Sequence, residues 1–213
     1  MTRLTVDGES VEVEPGTTVL EAARAAGSEI PTLCFDERLA SFGACRVCLV
    51  GVAGAPAPLA ACTTPCAEGM QVETRDPAAQ RVARAVVELV LSELAEPPAP
   101  HTELAALARR LDVGEPRWPG AVHAPDDDLR HPYLALRHGL CISCGRCVRA
   151  CDEIQGAFAL TATGRGFQAN VAAGIDAGFR DSACVSCGAC ADTCPTEAIT
   201  EISLLHLAES ATI

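Results

Sequence analysis

The sequence predicts an α+β protein in which a small sheet-and-helix unit is followed by a helical linker and a cysteine-rich unit. Three observations carry this expectation. Strand-like alternation surrounds a tight-turn dipeptide near the start, and an apolar repeat of period four runs through residues 78 to 95 until a cluster of prolines breaks it. Two cysteine runs, "CISCGRCVRAC" at 141–151 and "CVSCGACADTC" at 184–194, agree at six of eleven positions.

In chain order, residues 4 to 15 read "LTVDGESVEVEP", with apolar and polar side chains alternating on either side of Asp7-Gly8. That dipeptide suits a two-residue hairpin turn, so two short strands are expected. "TTVLEAARAAG" reads as a helix whose first turn Thr17 or Thr18 can cap and whose end Gly27 can close. A cysteine-bearing loop then leads to "CRVCLVGVAG", a buried strand, and "MQVETR", another. Further on, Val82, Val86, Val90 and Leu94 recur every fourth residue, with Val87 and Leu91 beside them. Arg84 and Glu88 fall outside this face and can pair one turn apart. Pro97, Pro98 and Pro100 end that amphipathic helix. A short helix at about 103–112 and a Pro-rich irregular stretch lead into the cysteine-rich region. The expected domains are 1–78, a linker at 79–130, and 131–213 with a C-terminal tail.

Composition narrows the function. Sixteen basic residues face 28 acidic ones, giving a net charge of −12, whereas phosphate binding needs clustered Lys and Arg. A nucleic-acid partner is not expected. Aromatic residues are 3% of the chain, which disfavours a large aromatic-lined substrate pocket. The start "MTRLTVDGESVEV" runs directly into a strand with no leader pattern, and the longest apolar run, "VVELVLSELA", is interrupted by Glu88 and Glu93. A cytoplasmic protein with no membrane span is expected. In a reducing compartment, 13 cysteines point to metal ligands rather than disulfides.

The paired runs share the spacing C-x2-C-x2-C-x3-C. Three close-set thiolates wrap three corners of a [4Fe-4S] cubane, and the fourth corner is left to a cysteine elsewhere. In two-cluster proteins the last cysteine of each run ligates the other run's cluster. The expected sets are therefore Cys141, Cys144, Cys147 and Cys194 for the first cluster, and Cys151, Cys184, Cys187 and Cys190 for the second. Gly145 and Gly188 remove side chains where backbone must approach the cluster. Pro195 follows Cys194, but Asp152 follows Cys151, a departure in one half only. The alternative is a pair of structural zinc sites, since C-x2-C is also zinc spacing.

Cys34, Cys45, Cys48 and Cys62 are spaced C-x10-C-x2-C-x13-C, a set that can hold a [2Fe-2S] rhomb or one zinc. The order of strands and helix favours the rhomb, because a β-grasp sheet with a cluster loop after its helix is the [2Fe-2S] ferredoxin arrangement. Cys66, four residues after Cys62, is left over. It is either a substitute fourth ligand or, the reading preferred, a small buried thiol.

With both halves read, "PTLCFDERLASFGACRVCLV", "AACTTPCAEGM", "HPYLALRHGLCISCGRCVRACDEIQG", "GRGF" and "DSACVSCGACADTCPTEAI" together resemble the amino-terminal iron-sulfur region of NAD-dependent formate dehydrogenase alpha subunits. That region is similar to the large iron-sulfur subunit of respiratory complex I and to the diaphorase subunit of NAD-reducing hydrogenases. The resemblance implies an N-terminal β-grasp [2Fe-2S] ferredoxin-like domain and a C-terminal two-cluster [4Fe-4S] ferredoxin-like domain. It implies one [2Fe-2S] and two [4Fe-4S] clusters and no substrate site. Its implied partners are a flavin- and NAD-binding iron-sulfur subunit and a catalytic subunit, with molybdenum or tungsten pterin or with nickel and iron. The family also carries a cluster held by one histidine and three cysteines, H-x3-C-x2-C-x5-C. Here His101 has no cysteine between 67 and 140 to join it, so it is expected to be an ordinary linker histidine. The catalytic pterin domain of the family is expected on another chain or absent.

Other features have plainer readings. "GRGF" at 164–167 lacks the third glycine of a dinucleotide fingerprint and is read as a turn. His123, His131, His138 and His206 sit at no metal spacing, "HPY" at 131–133 anchors a lead-in strand, and "PDDD" at 125–128 is a solvated loop. Arg146 and Arg149 flank the first run and either raise its potential by their charge or are simply solvated. The expected function is a relay that passes single electrons, with a free ferredoxin-like shuttle as the rival.

Overall fold

The computed structural model describes residues 1–117, 119–122, 126–174 and 178–203. His123, Pro125, His206 and the tail after residue 203 lie outside the described residues. The chain divides into two compact units, one of residues 1–35, 41–89 and 107–115, the other of 36–40, 90–106 and 116–213.

The first unit begins with the expected hairpin. Strands β1 (Thr2–Val6) and β2 (Glu9–Val13) pair antiparallel from Thr2 opposite Val13 to Val6 opposite Glu9. Asp7 and Gly8 turn the chain with φ of 50° and 90°, the left-handed pair that such a turn requires. Helix α1 (Val19–Ala25) starts at Thr18, which forms a full capping box. The Glu21 N–H donates to the Thr18 hydroxyl at 3.3 Å, and the Thr18 N–H donates to the Glu21 carboxylate at 2.7 Å. Strands β3 (Leu49–Val52), β4 (Leu59–Ala60) and β5 (Gln71–Glu73) complete a five-stranded sheet in the order β2-β1-β5-β3-β4. The inner pair β1 and β5 is parallel; its other pairings are antiparallel. Leu4, Val6, Val50 and Val72 on the sheet bury against Val19, Leu20, Ala22 and Ala23 on α1. Strand β3 starts at Leu49, so Cys45 and Cys48 lie in the loop before the strand that the sequence placed from Cys45.

Helix α2 (Pro77–Ser92) forms where the apolar repeat predicts one, but its buried face differs. Ala79, Ala83, Val87 and Glu88 are buried, while Val82 is 39% exposed. Alanine at every fourth position allows close packing, and a reading weighted towards larger apolar side chains selects the neighbouring valine stripe instead. Glu88, expected outside the apolar face and able to pair with Arg84 one turn away, is 7% exposed. The short helix α3 spans Glu103–Arg110.

The second unit pairs β6 (Leu134–Leu136) with β9 (Ile199–Glu201), and β7 (Leu160–Thr163) with β8 (Asn170–Ala173), both antiparallel. The "GRGF" stretch forms the turn between β7 and β8, with Gly164 at φ 70°. A Cβ at Gly164 would lie 2.2 Å from the carbonyl oxygen of Gln168, so only glycine fits. Helix α4 (Arg146–Arg149) continues as a π-helical turn through Ala150–Ile154, and α5 (Ala189–Asp192) is its counterpart in the second run. Leu134, Leu136, Leu160, Val171, Phe179 and Ile199 form the core together with Cys147, Cys151 and Cys190. No helix among the described residues is long and apolar enough to cross a membrane.

Candidate metal centres

The first centre lies in the loops around β3. Cys34, Cys48 and Cys62 are 1%, 2% and 1% exposed, and Cys45 is half-buried. The Cys45 N–H donates to the Cys34 sulfur at 3.5 Å, and the Cys48 and Cys62 sulfurs are 3.4 Å apart. Hydrogen bonding within these pairs, then burial, pushes the Cys45 and Cys48 thiols far above the ordinary range. The bond from Cys48 lowers Cys62. Four crowded thiols cannot all ionise unless a cation neutralises them. Cys66 is half-buried against the sheet core, and burial pushes its thiol up.

The near-repeat in sequence is a repeat in backbone. Ser143 and Gly145 sit at φ 51° and 75°, and Ser186 and Gly188 at 59° and 79°. Each glycine is the residue before a helix, α4 or α5, and holds a left-handed conformation that a side chain would strain. A Cβ at Gly188 would meet no protein atom within 4 Å, so backbone conformation is what the structure requires of it.

The last cysteine of each run lies beside the first three of the other. Cys141, Cys144, Cys147 and Cys194 line one cavity whose walls include Leu136, Val171 and Ile199. Burial pushes Cys141 up, Cys144 to about 12 and Cys147 well above its ordinary value. Cys184, Cys187 and Cys151 lie close enough to Cys190 for their charges to act on it, while burial pushes Cys190 to about 12. Cys187 is exposed, unlike its partners. Backbone N–H groups point at several sulfurs: Ala159 at Cys151 (3.1 Å), Ser186 at Cys184 (3.4 Å) and Ile199 at Cys194 (3.5 Å). The π-helical turn Ala150–Ile154 begins at the end of the first run and carries Cys151.

Among the described residues, no group of three or more His, Cys, Asp or Glu side chains is set to hold a single metal ion. The donor set is nonetheless chemically coherent, because the cavity offers four soft thiols and no carboxylate or imidazole. A cubane spreads its cysteines over four irons, so it needs thiols set around a volume, and this cavity provides them.

Several neighbours are fixed by residues that sequence reasoning missed or left open. His131 is 4% exposed, stacks on Phe179 with ring centroids 4.7 Å apart, and accepts the Tyr133 and Leu134 N–H groups on Nδ1. It thus anchors β6, as expected of "HPY". Asp36 accepts from Arg38 and, at 2.7 Å, from the Thr193 hydroxyl next to Cys194. Those bonds, led by Arg38, hold its carboxyl well below the usual range. Arg149 is half-buried and donates to the Ala40 carbonyl. The Arg146 side chain is 3% exposed and donates to both carboxylate oxygens of Glu103 at 2.9 and 2.8 Å and to the Thr193 carbonyl at 3.2 Å. This overturns the solvated reading of Arg146. No signal in "HTELAALARR" singles out Glu103 as its partner. His101 is exposed and pairs with Glu197 at 2.8 Å.

A family described as a 2Fe-2S iron-sulfur cluster binding domain matches residues 1–77, and a 4Fe-4S dicluster domain matches residues 140–198. An NADH-quinone oxidoreductase subunit of Rhizobium meliloti (strain 1021) is 35% identical over 178 residues, which is 80% of this chain and 21% of that protein. The mitochondrial NADH-ubiquinone oxidoreductase 78 kDa subunit of Neurospora crassa is 32% identical over 204 residues, 92% of this chain and 27% of its own length. The chain thus spans about a quarter of the length of these curated relatives. In a crystal structure of NAD+-reducing [NiFe]-hydrogenase in the H2-reduced state, one chain superposes with a TM-score of 0.85 at 33% identity. The match covers 95% of this chain and 88% of that one.

Proposed function

Because the chain belongs to the iron-sulfur family that includes a chain of NAD+-reducing [NiFe]-hydrogenase and the matching NADH-quinone oxidoreductase subunits, we propose that it relays single electrons within an NAD-linked oxidoreductase complex. The carrying observation is the cavity lined by three thiols of the first run and the last thiol of the second. Iron-sulfur clusters, when bound, take up and release one electron at a time. This chain's part is to hold them in fixed positions and to surround them with chosen charges and N–H groups.

In this reading Cys34, Cys45, Cys48 and Cys62 hold one [2Fe-2S] cluster. Cys141, Cys144, Cys147 and Cys194 hold one [4Fe-4S] cluster, and Cys151, Cys184, Cys187 and Cys190 the other. Cys66 packs against the sheet core as a thiol without a ligand role. The sheet that closes over α1, with its parallel inner pair, supports the β-grasp description of the first unit. Proposed domain limits are 1–78, 79–130 and 131–213, with the middle stretch a degenerate form of the histidine-and-cysteine cluster region.

The proposed partners are a flavin subunit that handles NAD and a catalytic subunit, in the cytoplasm. Sequence order across both cysteine regions favours a molybdenum or tungsten formate dehydrogenase as the catalytic partner. The extent of the match to the hydrogenase chain supports a nickel-iron partner as the second reading. Anaerobic purification from the native host tests both. The expected result is about ten irons and ten sulfides per chain, together with a flavoprotein and a molybdenum, tungsten or nickel protein. A zinc-loaded chain without visible absorption would overturn the cluster reading, and a chain that never brings down such partners would favour a free shuttle.

A further inference from the structure

The two cysteine runs differ where they are otherwise most alike. Arg146 stands between Cys144 and Cys147, and Ala189 occupies the matching place between Cys187 and Cys190. Both positions are buried, at 2% and 8% exposure, so the difference is one of charge in the interior. A buried guanidinium is costly unless it is paired and hydrogen-bonded. Its partner here, Glu103, is 56% exposed and therefore screened by water, and the Arg146 Nε is buried without a hydrogen-bond partner among the described residues. The positive charge is incompletely neutralised on the side away from Glu103.

The two sites also differ in their contact with water. Cys187 is exposed and Val185 beside it is 58% exposed, whereas Cys141, Cys144, Cys147 and Cys194 enclose a cavity with aliphatic walls. Adding an electron makes a thiolate-bound cluster more negative, and burial opposes the more charged form. The enclosed site would therefore be the harder one to reduce if nothing compensated. Each set receives a backbone N–H on at least one sulfur, so those bonds do not distinguish them.

We propose that Arg146 is a positioning residue for charge, raising the reduction potential of the cluster held by Cys141, Cys144, Cys147 and Cys194 to offset its burial, and that Glu103 limits the size of that effect. The other site manages with Ala189 because water reaches it at the exposed Cys187 and does there what the guanidinium does at the enclosed one. Helix α3, in the linker where the histidine-and-cysteine site is missing, thereby acquires a part in tuning the cluster beside it. This inference rests on the cluster reading given under Proposed function.

The test is a redox titration of the anaerobically purified, cluster-loaded full chain, following the spectroscopic signal of each reduced cluster. Arg146→Met should make one [4Fe-4S] centre at least tenfold harder to reduce, about 59 mV for a one-electron step, and leave the other two centres unmoved. Arg146→Lys keeps the charge and should restore most of that shift. Glu103→Gln should shift the same centre in the opposite direction. Unchanged potentials, or equal shifts in both [4Fe-4S] centres, would overturn the inference in a protein that carries its full iron and sulfide. If Arg146→Met fails to load the cluster, Glu103→Gln decides: no upward shift at one centre refutes the proposal. Iron and sulfide content separates this outcome from failure of the cluster reading, which would leave no iron-sulfur signal in the parent chain.

Discussion

His131 shows how one side chain ties a core to a ligand loop. Its Nδ1 accepts two backbone N–H groups, so the other ring nitrogen carries the proton and faces the Ser186 hydroxyl at 3.4 Å, between Cys184 and Cys187. Burial lowers its pKa from the ordinary 6.5, against a smaller opposing pull from Asp128. The unfolded chain therefore takes up this proton at higher pH than the folded one. The associated stability is complete above about pH 6.5 and declines as pH falls through that value towards the folded pKa. Thermal unfolding of the loaded chain between pH 7.5 and 5.5 should show this decline. His131→Gln, whose amide oxygen can accept the same N–H groups without titrating, should flatten it. His138, also lowered by burial, titrates in both proteins, so the difference between them is the measurement. Identical pH slopes would show that His131 does not carry the effect.

Among the elements, α1 depends most visibly on a local signal. The Thr18 hydroxyl and the Glu21 carboxylate satisfy each other's backbone N–H groups at a helix start whose next two residues, Val19 and Leu20, are fully buried. Thr18→Ala should cost about 1 kcal/mol, read as a fall of about 2–4 °C in melting temperature. Thr18→Ser should recover most of it, and an unchanged melting temperature for the alanine variant would contradict the role of the cap. This helix, the Asp7-Gly8 hairpin and the two cysteine runs were legible because their signals are local: a cap, a turn dipeptide, a fixed ligand spacing. The buried face of α2 was not, because it is decided by what the helix packs against, and small Ala79 and Ala83 outrank larger valines there. The partnership of Glu103 with Arg146 was hidden for the same reason, being a contact between residues 43 positions apart. The placement of Cys194 beside the first run's thiols follows from the spacing, whereas the π-helical turn at Cys151 does not, since nothing in "ACDEI" departs from an ordinary helix.

At the scale of the whole molecule, charge and ligation act together. With the three oxidised clusters proposed, held through twelve thiolates, a chain of net charge −12 would reach about −18, so ligand thiols gain little by ionising without iron. Metal loading and ordering of the cysteine loops are then one event. In the second unit that event would have a particular topology under the proposed ligation, in which each run lends its last cysteine to the other. Cys194→Ser, a change in the second run, should reduce loading at the cavity lined by Cys141, Cys144 and Cys147, while Cys184, Cys187 and Cys190 keep their own fourth ligand, Cys151. Cys151→Ser, a change in the first run, should do the reverse. Each variant should lose up to about four irons and one [4Fe-4S] signal, and the two should lose different signals. The Arg146→Met shift supplies the label: it should persist in Cys151→Ser and disappear in Cys194→Ser, since only the latter removes the cluster proposed on Cys144, the thiol on which the Arg146 charge acts. If Cys194→Ser instead removed the signal of the centre insensitive to Arg146, each run would be ligating its own cluster, and the exchanged arrangement of thiols would not describe the loaded protein.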